Sequence, residues 1–189
     1  MRWSKSLIAA GMLVAVMGAT ADAGVNPLSL YAGAGYAKET NTGAPGGSVG
    51  FVAGATVDAV VVRMGAEVGY DLLGSATVNT TKSTLSLIPV TAQLYYGLPL
   101  PEGTVKPWLT VGAGPYSQRV KVEPSGLPST TINSSKLGFN LGAGVDRAPP
   151  ATGWKFGLDG RFHVIGKDSK IGSTESTKVL TLMVRLYLM

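Results

Sequence analysis

Two short stretches carry most of the groups able to do chemistry in this chain. Arg63, Glu67 and Asp71 recur at intervals of four, and Lys155, Asp159, Arg161 and His163 recur at intervals of four and two, with Arg185 and Asn140 supplying further polar groups from other segments. Even spacing puts each set on one face of an extended chain. Cations and carboxylates gathered this way either pair and hydrogen-bond in a buried interior, because buried charges must be matched, or line a thin polar path for water and ions. A catalytic reading has less support. His163 is the only histidine, and a nucleophilic set would need Ser169, with Asp168 or Glu175 as the acid, brought within hydrogen-bond reach of it. The close His-x-Ser spacing that would help is missing, since Val164 and Ile165 follow. With one histidine and no cysteine, a metal centre is not expected. We therefore expect no catalytic residues, no metal and no cofactor.

The elements that carry these residues read as strands. Val62, Met64, Ala66, Val68, Tyr70 and Leu72 alternate with Arg63, Gly65, Glu67, Gly69 and Asp71, the period of two that marks an extended segment with unlike faces. Leu137, Phe139, Leu141, Ala143 and Val145 alternate in the same way with Gly138, Asn140, Gly142, Gly144 and Asp146. Near the end of the chain, Leu180, Leu182, Val184, Leu186 and Leu188 alternate with Thr181, Met183, Arg185 and Tyr187. Eight such segments are expected: Leu28 to Ala37, Ser48 to Val57, Val60 to Leu72, Thr84 to Tyr96, Lys106 to Arg119, Lys136 to Asp146, Trp154 to Val164 and Lys178 to Leu188. Each is close to the ~9–11 residues that a tilted strand needs to cross a bilayer.

The connections alternate in length. Long ones follow the odd strands (Lys38 to Gly47, Leu73 to Ser83, Val120 to Ser135, Ile165 to Thr177), and short ones separate them (Asp58-Ala59, Gly97 to Val105, and Arg147 to Gly153 with Pro149-Pro150). Short turns at one end and long loops at the other fit a membrane barrel with both termini on the short-turn side. The long loops are polar and are expected to be mobile. Asn79-Thr80-Thr81 and Asn133-Ser134-Ser135 match a glycosylation acceptor pattern but read as ordinary loop residues.

Cost decides which face is which. Turning Arg63 or Arg185 towards mid-bilayer lipid would cost roughly 2–4 kcal/mol each, so the polar set points inward. A soluble ligand-binding barrel would reverse the faces. The inward set is rich in glycine (Gly33, Gly35, Gly50, Gly54, Gly65, Gly69, Gly112, Gly114, Gly138, Gly142 and Gly144), which leaves room in a narrow lumen for Arg63, Tyr95, Tyr116 or Arg161. None of the Gly-Ala-Gly triplets opens a helix or completes a dinucleotide fingerprint. Trp108, Trp154, Tyr70, Tyr96 and Tyr187 lie near strand ends and are expected to form an aromatic girdle.

The N-terminus supplies the route. Arg2 and Lys5, the apolar run Leu7 to Ala19, and Ala21-Asp22-Ala23 compose a cleavable signal peptide, so residues 1–23 are expected to be removed and residues 24–189 to form one barrel domain. Subtracting Arg2, Lys5 and Asp22 from 16 basic and 11 acidic residues leaves 14 and 10, too small and scattered an excess for nucleic acid. With no cysteine, an exported chain of this size cannot rely on disulfides.

The run Thr84-Leu85-Ser86-Leu87-Ile88-Pro89-Val90-Thr91-Ala92-Gln93-Leu94-Tyr95-Tyr96, followed by Lys106-Pro107-Trp108-Leu109-Thr110-Val111-Gly112-Ala113-Gly114, resembles the central hairpin of small outer-membrane β-barrels of the OmpA/OmpX/OmpW-like type. Gly157-Leu158-Asp159-Gly160-Arg161-Phe162-His163 is similar to a later strand of that group. The resemblance implies an all-β, eight-stranded antiparallel transmembrane barrel in a bacterial outer membrane, with structural, adhesive, stress-resistance or small-solute roles. Implied partners are outer-membrane lipid and lipopolysaccharide, the outer-membrane assembly machinery and an extracellular ligand at the loops. The ending Arg185-Leu186-Tyr187-Leu188-Met189 departs from the terminal aromatic usual in such barrels. The expected function is structural or loop-mediated; the alternatives are a narrow channel for ions or small apolar solutes and a lipid A-modifying hydrolase.

Overall fold

The computed structural model describes residues 28–188 apart from 42, 45, 60–61, 100–104, 148–153 and 168–174. The proposed signal peptide, Pro149-Pro150, Asp168 and Ser169 lie outside the described residues. Eight strands, β1 (Leu28–Glu39), β2 (Ser48–Asp58), β3 (Val62–Val78), β4 (Thr81–Gly97), β5 (Val105–Pro124), β6 (Thr130–Arg147), β7 (Trp154–Ile165) and β8 (Thr177–Leu188), follow one another in a meander. Each pairs antiparallel with the next, and β1 pairs with β8 to close the barrel. Closure leaves no unpaired edge within the barrel wall, the condition for placing β-structure in hydrocarbon.

The faces fall as the lipid cost demands. Leu30, Phe51, Met64, Val68, Leu94, Val111, Phe139, Leu141, Leu158, Leu182 and Val184 are exposed on the outside, while Glu67, Asp71, Asn140, Asp159, Arg161, His163 and Arg185 are buried inside. A water-soluble ligand-binding barrel would show the opposite arrangement. Tyr96 and Trp154 are exposed at strand ends, and Tyr70 is exposed midway along β3 rather than at its end. Trp108 and Tyr187, expected in the girdle, are instead buried in the lumen. Both fall in the inward phase of their strands, with Thr110 and Gly112 and with Arg185, so nearness to a strand end was the weaker guide. Trp108 stacks edge-on against Tyr95, ring centroids 5.2 Å apart, over the space left by Gly144.

Two of the expected loops are strand instead. Leu73 to Ser83 and Val120 to Ser135 are not mobile connections: most of their residues prolong β3 to β6, at 17, 17, 20 and 18 residues. These segments combine alternation with β-branched residues, as in Thr77-Val78, Val120, Val122 and Thr131-Ile132, which favours pleated pairing even where polar residues dominate. Only two residues, Asn79 and Thr80, join β3 to β4. Asn79 takes the positive φ of 54° that asparagine accepts better than most side chains. The pairing of β3 with β4 shifts by a bulge between Leu72 and Gly74, with Gly74 at φ 112°. Pairing of β4 with β5 runs to Thr81 opposite Pro124, and Ser125 N–H donates to Thr80 O at 3.0 Å between the two turns. The result is a four-stranded sheet rising beyond β1, β2, β7 and β8. Asn133 to Ser135 belong to β6 rather than to a loop.

Candidate functional site

The lumen side chains form three tiers. The tier nearest the short turns holds Asp58, Arg63, Asp146 and Lys155. Arg63 Nε donates to Asp58 Oδ1 at 2.8 Å and Nη1 to Asp146 Oδ2 at 3.2 Å; Lys155 Nζ lies 3.3 Å from the same Asp146 oxygen and 4.3 Å from the Tyr187 ring centroid. Two cations thus face two carboxylates.

The middle tier is fully desolvated. Glu67 on β3 reaches across the barrel to Arg161 on β7, whose Nη1 donates to Glu67 Oε1. Arg185 on β8 donates from Nη2 to Glu67 Oε2 at 3.4 Å and to Asp159 Oδ2 at 2.9 Å, and from Nε to Asp159 Oδ1 at 3.0 Å. Arg161 Nε donates to Asp159 Oδ2 at 2.6 Å. Tyr31 OH, Gln93 Nε2 and Thr91 Oγ1 donate to Glu67 at 2.7, 3.0 and 3.4 Å. Tyr95 OH accepts from Arg161 Nη2 at 3.2 Å and from Arg185 Nη1 at 3.4 Å, and Arg185 stacks 4.6 Å above the Tyr31 ring. Two guanidiniums and two carboxylates cancel, and hydrogen bonds from neutral neighbours occupy further acceptor positions, which is the requirement for keeping ions out of water. Glycines open the space: a Cβ on Gly142 would stand 2.6 Å from Arg161 Cγ, and one on Gly54 2.6 Å from Tyr31 Cζ.

The third tier is neutral, then apolar. His163 Nδ1 lies 3.1 Å from Tyr116 OH and its Nε2 3.0 Å from Thr181 Oγ1, and Asn140 Nδ2 donates to Tyr116 OH at 3.2 Å. Above them Ala37, Leu73, Leu87, Ile165 and Val179 pack with Tyr116 into a cluster with no solvent exposure. Asp71 Oδ1 and the side-chain amide of Gln118 are buried without a hydrogen-bond partner. Asp71 therefore stands apart from the ion-paired tiers.

Of the residues expected to share the interior, Glu67, Asp159, Arg161 and Arg185 meet directly, Arg63 and Lys155 meet through Asp146, and Asn140 and His163 meet through Tyr116. Tyr31, Thr91, Gln93 and Thr181 complete the network without having been singled out. The alternation of β1, β4 and β8 places all four in the inward phase, but nothing beyond that phase marked them out. Among the described residues, the hydroxyls that reach His163 belong to Tyr116 and Thr181; Ser169 lies outside them. Among the described residues no group of histidine, cysteine or carboxylate side chains is arranged to hold a metal ion.

On the outer wall of the raised sheet, Lys82, Arg119, Lys121 and Glu123 share one face. Lys121 Nζ donates to Glu123 Oε1 at 2.7 Å, and this holds the Glu123 carboxyl below the usual carboxylate range.

The sequence profile of the outer membrane protein beta-barrel domain matches residues 6–187. The chain belongs to that family. It is a bacterial outer-membrane β-barrel protein, and the raised sheet marks its outer face, opposite the short periplasmic turns. Solved barrels share the fold. Neisserial surface protein A (NspA) is 17% identical with a TM-score of 0.66, covering 86% of this chain and 97% of that one. Ail, the attachment invasion locus protein of Yersinia pestis, is 15% identical with a TM-score of 0.54 over 85% and 96%, and is also known in complex with the heparin analogue sucrose octasulfate. A major outer membrane protein from Thermus thermophilus is 12% identical with a TM-score of 0.56 over 85% and 98%. No curated protein sequence matches the chain.

Proposed function

We propose that this outer-membrane barrel does not conduct and has no catalytic role, and that it acts as a rigid mount for the raised β3–β6 sheet, which contacts a polyanionic ligand outside the cell. The observation that carries the reading is the contrast between inside and outside. The lumen charges cancel within the two ion-paired tiers, whereas the outer wall of the sheet sets Lys82, Arg119 and Lys121 against the single carboxylate of Glu123. Arg119 makes no ion pair with a described residue. A balanced interior is plug-like; an unbalanced exposed face attracts opposite charge. The heparin analogue held by Ail lends support from a protein of the same fold.

The test displays the full chain on bacteria and compares it with a variant in which residues 75–84 and 120–135 are replaced by tight turns. Both should migrate as heat-modifiable barrels from outer membranes. Cells carrying the full chain should attach to a heparin-coated surface, and cells carrying the trimmed chain should not. Equal attachment would overturn the proposal.

A further inference from the structure

A second pair of unbalanced cations lies elsewhere, lower on the wall, where β8 meets β1. Lys38 and Lys178 are both exposed. Each continues the outward phase of its strand, after Tyr36 on β1 and before Leu180 on β8. Lys38 pairs with Leu180, so the two lysines are diagonal neighbours, with Cα atoms roughly 7–8 Å apart in such a register. Neither has an ion pair with a described residue. Glu39, the nearest carboxylate in β1, alternates to the lumen side with Ala37.

The seat is held in place by backbone and side-chain bonds. Thr40 N–H donates to Lys178 O at 2.9 Å. Asn41 clasps the start of β8 twice, accepting from Lys178 N–H at 2.7 Å and donating to Ser176 O at 2.9 Å. The lysine stems therefore project from a fixed seam rather than from a loose loop.

One step below the lysines stand Tyr36 on β1 and Leu180 on β8; beyond them, towards mid-membrane, the outward face of β1 is low. Ala32 and Ala34 form its floor, and Ala53 stands beside Ala32 on β2. Taller side chains wall this lane on both sides. Leu182, Val184 and Leu186 stand opposite Tyr36, Ala34 and Ala32 on β8, and Phe51 stands opposite Ala34 on β2. Leu182 and Val184 are more than half exposed. The lane is narrow and apolar, and past Tyr36 and Leu180 two cations stand at the outer edge of the apolar band. Its shape and charge match one acyl chain below one phosphate.

We infer that the β8–β1 seam is a binding site for a phosphorylated glycolipid of the outer leaflet, of the lipopolysaccharide class, with Lys38 and Lys178 on the phosphate and the Ala32–Ala34 lane under an acyl chain. The site lies on the outer wall and does not depend on the lumen or on the raised sheet.

The full chain, refolded in neutral detergent, is titrated with bis-phosphorylated lipid A and with the same lipid after phosphate removal, and bound lipid is counted by native mass spectrometry. The phosphorylated form should bind more tightly. The Lys38→Gln/Lys178→Gln variant should lose on the order of 30-fold in affinity, since each lysine near an anionic surface is worth about a factor of five. Ala34→Leu, which fills the lane and leaves the charges, should weaken binding independently. Both variants should keep heat-modifiable migration, and a variant that loses it is replaced by Lys38→Gln or Lys178→Gln alone. Equal affinity for the dephosphorylated lipid, unchanged binding in the variants, or displacement by inositol hexaphosphate at matched phosphate concentration would overturn the assignment.

Discussion

Replacing Glu67 by Gln keeps the shape of the middle tier and removes one charge. In the native barrel Glu67 receives hydrogen bonds from Tyr31, Thr91, Gln93, Arg161 and Arg185, and it balances, with Asp159, the two buried guanidiniums. Glu67→Gln leaves Arg161 and Arg185 sharing one carboxylate and turns an amide N–H₂ towards a guanidinium that can only donate. Breaking a buried ion pair by removing one partner costs roughly 3–5 kcal/mol, against about 0–1 kcal/mol for an exposed pair. Arg161 and Glu67 are almost without solvent exposure, so the larger range applies. Urea titration of the barrel in lipid vesicles, read by the separation of folded and unfolded bands, measures the loss. Glu67→Gln/Arg161→Gln restores neutrality with Arg185 and Asp159 still bonded, so it should be more stable than the sum of the single effects by at least about 1 kcal/mol. A loss under about 1 kcal/mol for Glu67→Gln, with additive effects in the double variant, would refute the matched-charge reasoning.

Three further outcomes follow from the same tiers and from the N-terminus. Gly142→Val places a Cβ 2.6 Å from both Arg161 Cγ and Gly160 O and should cost roughly 1–3 kcal/mol in the same titration. Leu87→Ala, in the fully buried apolar cluster, should cost about 2–5 kcal/mol without changing the charge tiers. Intact-mass measurement on protein from outer membranes should give a chain beginning at Gly24, with residues 1–23 removed.

The barrel was legible because its signals are physical and repeated. A one-residue slip in β6 or β8 would turn every leucine inward and Arg185 outward, so the alternation determines both strand and face. The raised sheet was not legible. Polar composition between Leu73 and Ser83 resembles that of a loop, and the β-branched residues within it become informative only once β4 and β5 are seen to stay paired. The site was legible in its charges and obscure in its neutral partners. Glu67 and Arg161 must face inward and must be matched, but nothing in Tyr31 or Gln93 taken alone says that Glu67 is what they bond. Asp71 shows the limit of inference by phase: it shares the face of Glu67, yet Leu73, Leu87 and Ala37 occupy the tier above it and leave its Oδ1 without a partner.

Side chains close the lumen, through balanced charge near the periplasm and mid-membrane and through an apolar cluster towards the outside. Single-channel recording of the refolded chain in a planar bilayer puts this closure to the test. No conductance steps are expected at any applied potential that the bilayer survives. Steady unitary conductance in the unaltered protein, reduced or changed in selectivity by Arg161→Gln, would contradict a plugged barrel.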